Sequence, residues 1–310
     1  MKIDIIYIPC YRRDFRLARI CIASIRHWYP DIPITIIKDE MMHSFDTTEL
    51  ERVFNVSVYP QNARLYGWGF SKFEAMFEPA GKRFLFLDAD IVMAGPVLEL
   101  LEKYDDDYIV HEEPYSLEDV YKYYFNLEEL KKFDPAFHFP EFTFNTGQFV
   151  GTAGKLKRSD FDPLVEWSEP RIVKRTDVFT FGGEQPVLNY VVMKKMGEGM
   201  LSVKRLNFMR EGLNPDTAAI SIDRLDRKEG YPFILHWHDK KPDVFDPRMR
   251  QIPRNDILLH FEKIYFEKAS IGVFRRKLRI QWEHLYDTVL MKSLLLIRGQ
   301  IGFRGLFRKI

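Results

Sequence analysis

Four short runs of apolar, β-prone residues recur in the first part of the chain: Ile3 to Ile8, Ile34 to Ile37, Val56 to Tyr59 and Phe84 to Leu87. Helical patterns lie between them, from Asp14 to about Trp28, from Asp46 to Val53 and from Ser71 to Phe77. Runs so brief and so uniformly apolar suit strands covered on both faces, and helix-bearing connections make sequential strands parallel. The expected fold class is therefore α/β, with a Rossmann-like, mostly parallel central sheet and helices on both faces. Ligands of such sheets bind outside the carboxyl ends of the strands. The segment Pro9-Cys10-Tyr11, expected to break the first strand, and the fourth strand's end at Asp88 both fall on that edge. Asp14 is placed to cap the first helix.

After Pro96 the pattern loosens. A helix is expected over about Val97–Lys103 and a strand over Tyr108–His111, followed by Leu117–Lys132, which is rich in Tyr, Glu and Lys and reads as a variable insertion. Thr143 to Thr152 holds a β-prone stretch around two glycines, and Gly183 to Lys195 places Val187, Leu188, Val191 and Val192 at helical spacing. A last strand, Phe233 to Leu235, ends at His236; beyond Ile252 the chain reads as long helices, with Phe274, Leu278, Leu285 and Val289 near helical spacing. An apolar share of 46% over 310 residues excludes a disordered chain. Cys10 and Cys21 sit in apolar segments and read as buried thiols rather than a bridge. Met1 to Cys10 is too short for a secretory signal and is interrupted by Asp4, and no apolar run reaches the roughly 18 residues of a membrane span. A cytoplasmic protein, touching a membrane only from its surface, is the expectation.

The sharpest local feature is Phe84-Leu85-Phe86-Leu87-Asp88-Ala89-Asp90, an apolar strand that delivers two carboxylates to the ligand edge. Alternation along an extended chain puts both on one side. Hard oxygen ligands of this kind suit Mn2+ or Mg2+ bridging to phosphate oxygens. Taken alone the pattern is short and frequent, and Asp88 capping a turn beside a solvated Asp90 is the plainer alternative.

Four further segments, one before this strand and three after it, change the reading. Phe70-Ser71-Lys72-Phe73 opens the helix leading to the Asp88 strand. Phe144-Asn145-Thr146-Gly147-Gln148-Phe149, Gly183-Glu184-Gln185-Pro186-Val187-Leu188-Asn189 and Leu235-His236-Trp237-His238-Asp239-Lys240-Lys241-Pro242 follow. Together these resemble glycosyltransferase family 8, the family of glycogenin and the bacterial lipopolysaccharide galactosyltransferases, over about residues 3–242. Two departures are visible. Glu184 stands where the family has Asp, and the last segment lacks a glycine and is one residue shorter between His and Lys-Pro. The resemblance implies a GT-A nucleotide-sugar domain over residues 1–250. It implies a metal held by Asp88, Asp90 and His236, with His238 the alternative ligand. The base would lie against Ile8, Pro9 and Tyr11. The donor would be held by Lys72, Asp88, Ala89, Asn145, Thr146 and Gly147, with Lys240 and Lys241 on the diphosphate. Glu184 and Gln185 would sit at the reacting carbon, with Gln185 orienting rather than attacking. The implied activity is metal-dependent transfer of a hexose from a nucleotide-diphosphate donor, a uridine diphosphate sugar by family habit, to a glycan or lipid-linked glycan, with retention of anomeric configuration. Acceptor selectivity is expected in the insertion at about 112–142 and in the tail.

Residues 251–310 read as a basic, amphipathic helical extension. Residues 261–310 hold eleven Lys/Arg against four Asp/Glu, a charge of +7, which leaves −6 for the rest. Phe274-Arg275-Arg276-Lys277-Leu278-Arg279 and Gly302-Phe303-Arg304-Gly305-Leu306-Phe307-Arg308-Lys309 interleave apolar residues with cations, a pattern suited to an anionic membrane surface. Packing on the main domain with solvated cations, or an oligomer contact, is the alternative. Nucleic acid is not an expected partner, since no recognised module accompanies the charge. Two rival functions remain: a haloacid-dehalogenase-type phosphatase, whose Asp-x-Asp motif falls on the first strand rather than the fourth, and a non-catalytic nucleotide-sugar-binding protein of the same fold.

Overall fold

The computed structural model describes residues 1–41, 44–60, 63–67, 69–212, 214–237, 254–286 and 289. Its strands are β1 (Ile5–Tyr11), β2 (Ile34–Asp39), β3 (Val56–Val58), β4 (Arg83–Leu87), β5 (Ile91–Met93), β6 (Tyr108–His111), β7 (Gln148–Thr152), β8 (Val165–Glu166), β9 (Ile172–Val173), β10 (Val203–Leu206), β11 (Met209–Glu211) and β12 (Ile234–His236). Its helices are α1 (Phe15–Trp28), α2 (Thr48–Phe54), α3 (Lys72–Met76), α4 (Leu98–Leu101), α5 (Leu117–Tyr123), α6 (Leu127–Phe133), α7 (Arg158–Phe161), α8 (Glu184–Gly197), α9 (Ile222–Asp226), α10 (Asn255–Lys268) and α11 (Val273–Leu285).

The main sheet runs β10-β6-β7-β4-β1-β2-β3. It is mostly parallel, with β7 antiparallel to both β4 and β6. The uniform apolarity of β1 and β4 has a direct cause. Ile5, Tyr7, Phe84 and Phe86 point into one core, which includes Val187, Leu188, Val191 and Val192 of α8. Ile6, Ile8, Leu85 and Leu87 point into the other, against Ala18, Cys21, Ile22 and Ile25 of α1. Both faces of the sheet are thus covered. Cys10 and Cys21 are buried and not joined.

Two local expectations are corrected. Pro9 does not break β1, which pairs with β2 as far as Tyr11 opposite Asp39. The β1–β4 ladder already ends at Tyr7–Phe86, so the proline's missing N–H interrupts no bond to β4. Asp14 does not cap α1 with its side chain; it lies in the 3-10 turn Arg12–Asp14 that leads into the helix. The stretch Leu117–Lys132 divides into α5 and α6, because Ser116 and Asn126 each accept bonds from the first turn that follows them. A second sheet, β11-β12-β5, is absent from the sequence reading. Past β12, α10 lies on α1 and buries Ile257, Leu258, Phe261, Tyr265 and Phe266, with Tyr265 stacked on Phe54 at 4.7 Å.

Candidate active site

The site begins where β4 ends. The Asp88 backbone N–H donates to the carbonyl of Gly147 at 2.7 Å, which ties the strand end to the segment entering β7. The chain turns through Asp88-Ala89-Asp90 and enters β5, which pairs antiparallel with β12 so that Ile91 lies opposite His236. That long-range pairing brings the imidazole to Asp90, with Nε2 3.3 Å from Oδ1. One ligand atom each from Asp88, Asp90 and His236 lies within 4.8 Å of the others. Asp90 and His236 are buried, while Asp88 keeps 30% side-chain exposure and so faces the opening.

This cluster fits a divalent cation. Two carboxylates and an imidazole form a mixed oxygen and nitrogen donor set, incomplete by itself, of the kind that Mn2+ or Mg2+ completes with phosphate oxygens and water. Gly147 forms the floor of the cradle. A Cβ there would lie 2.4 Å from His236 Cε1, 2.9 Å from Asn145 Oδ1 and 3.0 Å from Asp88 Oδ2. Only a residue without a side chain leaves room for the three groups.

Behind the cluster, Lys72 joins two acidic arms. Its buried ammonium lies 3.0 Å from Asp88 Oδ1 and 2.8 Å from Glu184 Oε1, and donates to the Thr146 carbonyl at 2.9 Å. Burial pulls the lysine pKa down; Asp88 and then Glu184 more than offset this and hold it above the ordinary value. Glu184 opens α8, where the helix dipole favours an acid, and also accepts from Thr146 Oγ1 at 2.8 Å. The Thr146 N–H donates to Gln185 Oε1 at 3.4 Å. Asn189, one turn further along α8, accepts from the Phe144 N–H and donates back to its carbonyl, each at 2.9 Å, so the Asn145 segment is clamped to the helix. Asn145 in turn accepts from the Gly147 N–H at 2.7 Å. The extra methylene of Glu184 relative to aspartate has a seat at Gly69, where φ is +74° and a Cβ would lie 2.1 Å from Oε2.

Asp88, Ala89, Asp90, His236, Lys72, Asn145, Thr146, Gly147, Glu184 and Gln185 therefore converge around one strand end. Ile8, Pro9 and Tyr11 lie on the neighbouring strand β1, which runs on past the end of its β4 ladder. The Ile8 side chain is in the core, so it offers a ligand only its backbone. His238, Lys240 and Lys241 lie outside the described residues.

The sequence reading missed Glu113. Burial, with help from Glu211, pushes its carboxyl up to about 7, against the opposing effects of His236 and of the Asn145 backbone N–H that it accepts from. Its position just past β6 is the one available signal, since that strand also ends at the ligand edge of the sheet.

No family model matches the chain, and no curated protein matches it. Solved structures do. The bifunctional glycosyltransferase WbbM superposes with a TM-score of 0.52 at 12% identity, covering 91% of this chain and 52% of WbbM. The galactosyltransferase LgtC, solved with donor and acceptor sugar analogues, superposes with a TM-score of 0.51 at 17% identity, covering 88% of this chain and 99% of LgtC. The chain has the GT-A fold. It spans about half the length of WbbM and nearly all of LgtC. In this GT-A framework the Asp88 turn occupies the carboxyl edge, between the ends of β1 and β7's entry segment.

Proposed function

We propose that the chain is a metal-dependent glycosyltransferase of the family 8 type, moving a hexose from a uridine diphosphate donor to a glycan or lipid-linked glycan. The observation that carries the reading is the convergence of Asp88, Asp90 and His236 at the end of β4 in a GT-A fold, with the Lys72–Glu184 pair directly behind it.

Cleaving the bond between sugar and diphosphate develops negative charge on the leaving phosphate. Asp88, Asp90 and His236 would hold Mn2+ or Mg2+, which would supply the compensating positive charge there. The chain's own residues set the geometry. Asp88 and Asp90 serve as ligands and are thereby unsuited to act as bases. Asn145 presents a polar group beside Gly147, where the backbone admits close approach of a sugar. Lys72 fixes Glu184 against Thr146, so that carboxylate is a positioned acceptor rather than a free nucleophile. Gln185 is an amide and orients rather than attacks. Retention of anomeric configuration follows from the resemblance, and Lys240 or Lys241 is the proposed diphosphate contact.

A screen of nucleotide sugars for slow, metal-dependent donor hydrolysis tests the proposal without an acceptor. Uridine diphosphate sugars should be consumed only with Mn2+ or Mg2+, and Mn2+ with uridine diphosphate should raise Tm more than either alone. An Asp88→Asn, Asp90→Asn variant that keeps the full Tm shift sinks the metal assignment. A Tm shift without any hydrolysis or transfer points to a binding protein, and hydrolysis of generic phosphomonoesters points to a phosphatase.

A further inference from the structure

Helix α11 is attached to the protein through its charges and through Ile280, which packs against the core that α1 lines. Arg279 donates to both carboxylate oxygens of Glu49 at 2.8 Å, Arg276 lies 3.7 Å from Glu262, and Glu283 accepts from the buried Arg19 guanidinium at 2.8 Å. Arg276 and Arg279 also lie over the Phe266 ring, and Arg12 lies over Tyr286 where the helix ends. At 3.6 residues per turn, Phe274, Leu278, Trp282 and Leu285 fall on the opposite side. Their exposures are 74%, 49%, 59% and 45%, and within α11 no side chain is buried. A surface helix ordinarily does the reverse, turning its apolar stripe to the core and its charges to water. A contiguous apolar stripe left outward marks an interaction surface.

The cations around the stripe identify its partner. Arg275 and Lys277 are exposed, one on each side of it. Residues 287–310 add Lys292, Arg298, Arg304, Arg308 and Lys309 against the single acid Asp287. A second copy of this face would bring like charges together. An anionic bilayer accepts both parts, the apolar side chains at the acyl boundary and the cations at the headgroups. Among the described residues no helix is long and apolar enough to cross a membrane, so α11 would lie in the surface plane. We propose that the outer face of α11, formed by Phe274, Leu278, Trp282 and Leu285 between Arg275 and Lys277, docks the protein on an anionic lipid surface. This holds whether or not the chain transfers sugars, since none of these residues belongs to the Asp88 site.

Flotation of the full chain with vesicles tests it, using phosphatidylcholine alone and phosphatidylcholine mixed with phosphatidylglycerol. A Phe274→Ser, Leu278→Ser, Trp282→Ser variant is run beside it, after its Tm has been shown to match the native chain. The expected result is binding to the anionic vesicles only, weakened by salt, and at least tenfold weaker in the triple variant. An Arg275→Gln, Lys277→Gln variant should lose severalfold. Equal binding by native and triple-variant chains, binding to neither vesicle, or a concentration-dependent dimer that the triple substitution abolishes overturns the proposal.

Discussion

Replacing Lys72 by methionine isolates what holds the two acidic arms of the site together. The ammonium is within 3.0 Å of carboxylate oxygens on both Asp88 and Glu184, and its side chain is 4% exposed. Methionine fills much of the volume and removes the charge, leaving Glu184 buried with Thr146 Oγ1 as its remaining neutral donor. Removing one partner of a buried pair costs about 3–5 kcal/mol. Asp88 faces the opening and is partly screened by water, which favours the lower end, about 3 kcal/mol. At about 2 °C per kcal/mol for a chain of this size, Tm should fall by about 6 °C. A Lys72→Met, Glu184→Gln double variant removes the stranded charge and should recover about half of the loss, a coupling of roughly 1.5 kcal/mol. The sign with pH is also fixed. The folded-state pKa of Lys72 lies above its unfolded value, so its contribution is complete below about 10.4 and is lost only as pH rises beyond that. The Lys72 ammonium itself therefore adds no pH dependence to the native-minus-variant difference from about pH 6 to 9. Denaturant melts of the four chains give the cycle. A Lys72→Met loss under about 1 kcal/mol, with strictly additive single and double variants, refutes the idea that Lys72 binds the arms into one unit.

Two further substitutions probe separate features. Gly147→Ala puts a Cβ 2.4 Å from His236 Cε1, so the imidazole must move; Mn2+ affinity, read by titration calorimetry, should weaken roughly tenfold or more with only a small change in metal-free Tm. Glu283→Ala strands the Arg19 guanidinium, whose side chain is 3% exposed, and α11 should detach rather than leave it buried and unpaired. Tryptic cleavage at Arg275–Arg279 should then accelerate at least tenfold while the Tm of the GT-A body changes little. Burial pushes the Glu283 carboxyl up, but Arg19 and Arg279 more than offset this and hold it below the usual value. The native clasp is thus complete above the unfolded pKa of about 4.3 and is lost as pH falls through the lower folded one, so neutral and mildly acid buffers should leave protection unchanged.

The parts of the fold legible in the sequence are those with a one-dimensional signal. β1, β2, β4 and β6 are each built around a mostly apolar run because cores press on both sides of the sheet. β10 and β11 carry no such signal: Val203-Lys204-Arg205-Leu206 is a half-exposed sheet edge, and Met209-Arg210-Glu211 spans three residues. β5 directly follows Asp90 and is indistinguishable locally from a continuation of the β4 run. Its pairing with β12 joins residues more than 140 positions apart, so nothing near His236 shows that its partner is Asp90. The resemblance to family 8 implied a metal-ligand role for that histidine; the local pattern placed it only after a strand. Glu113 is quieter still, a carboxyl whose character comes from burial beside Glu211 and Asn145 rather than from any motif.

Helix α11 shows how a strong pattern misleads about direction. Apolar residues at 274, 278, 282 and 285 with charges at 276, 279 and 283 form a regular amphipathic signature, and the usual inference docks the apolar side. The outcome is set by what the body offers. α1 presents Arg19 beneath the helix, α2 presents Glu49 and α10 presents Glu262, so complementary charges meet α11 where an apolar groove would otherwise be needed. Arg19 cannot remain buried alone, which makes Glu283 its required partner and fixes the rotation of the helix. Rotating α11 by half a turn would bury Trp282 and Phe274 at the cost of stranding Arg19 and separating Arg279 from Glu49. The outward stripe is thus a consequence of residues on α1 and α2, more than 220 positions earlier in the chain, and no window on α11 alone contains it.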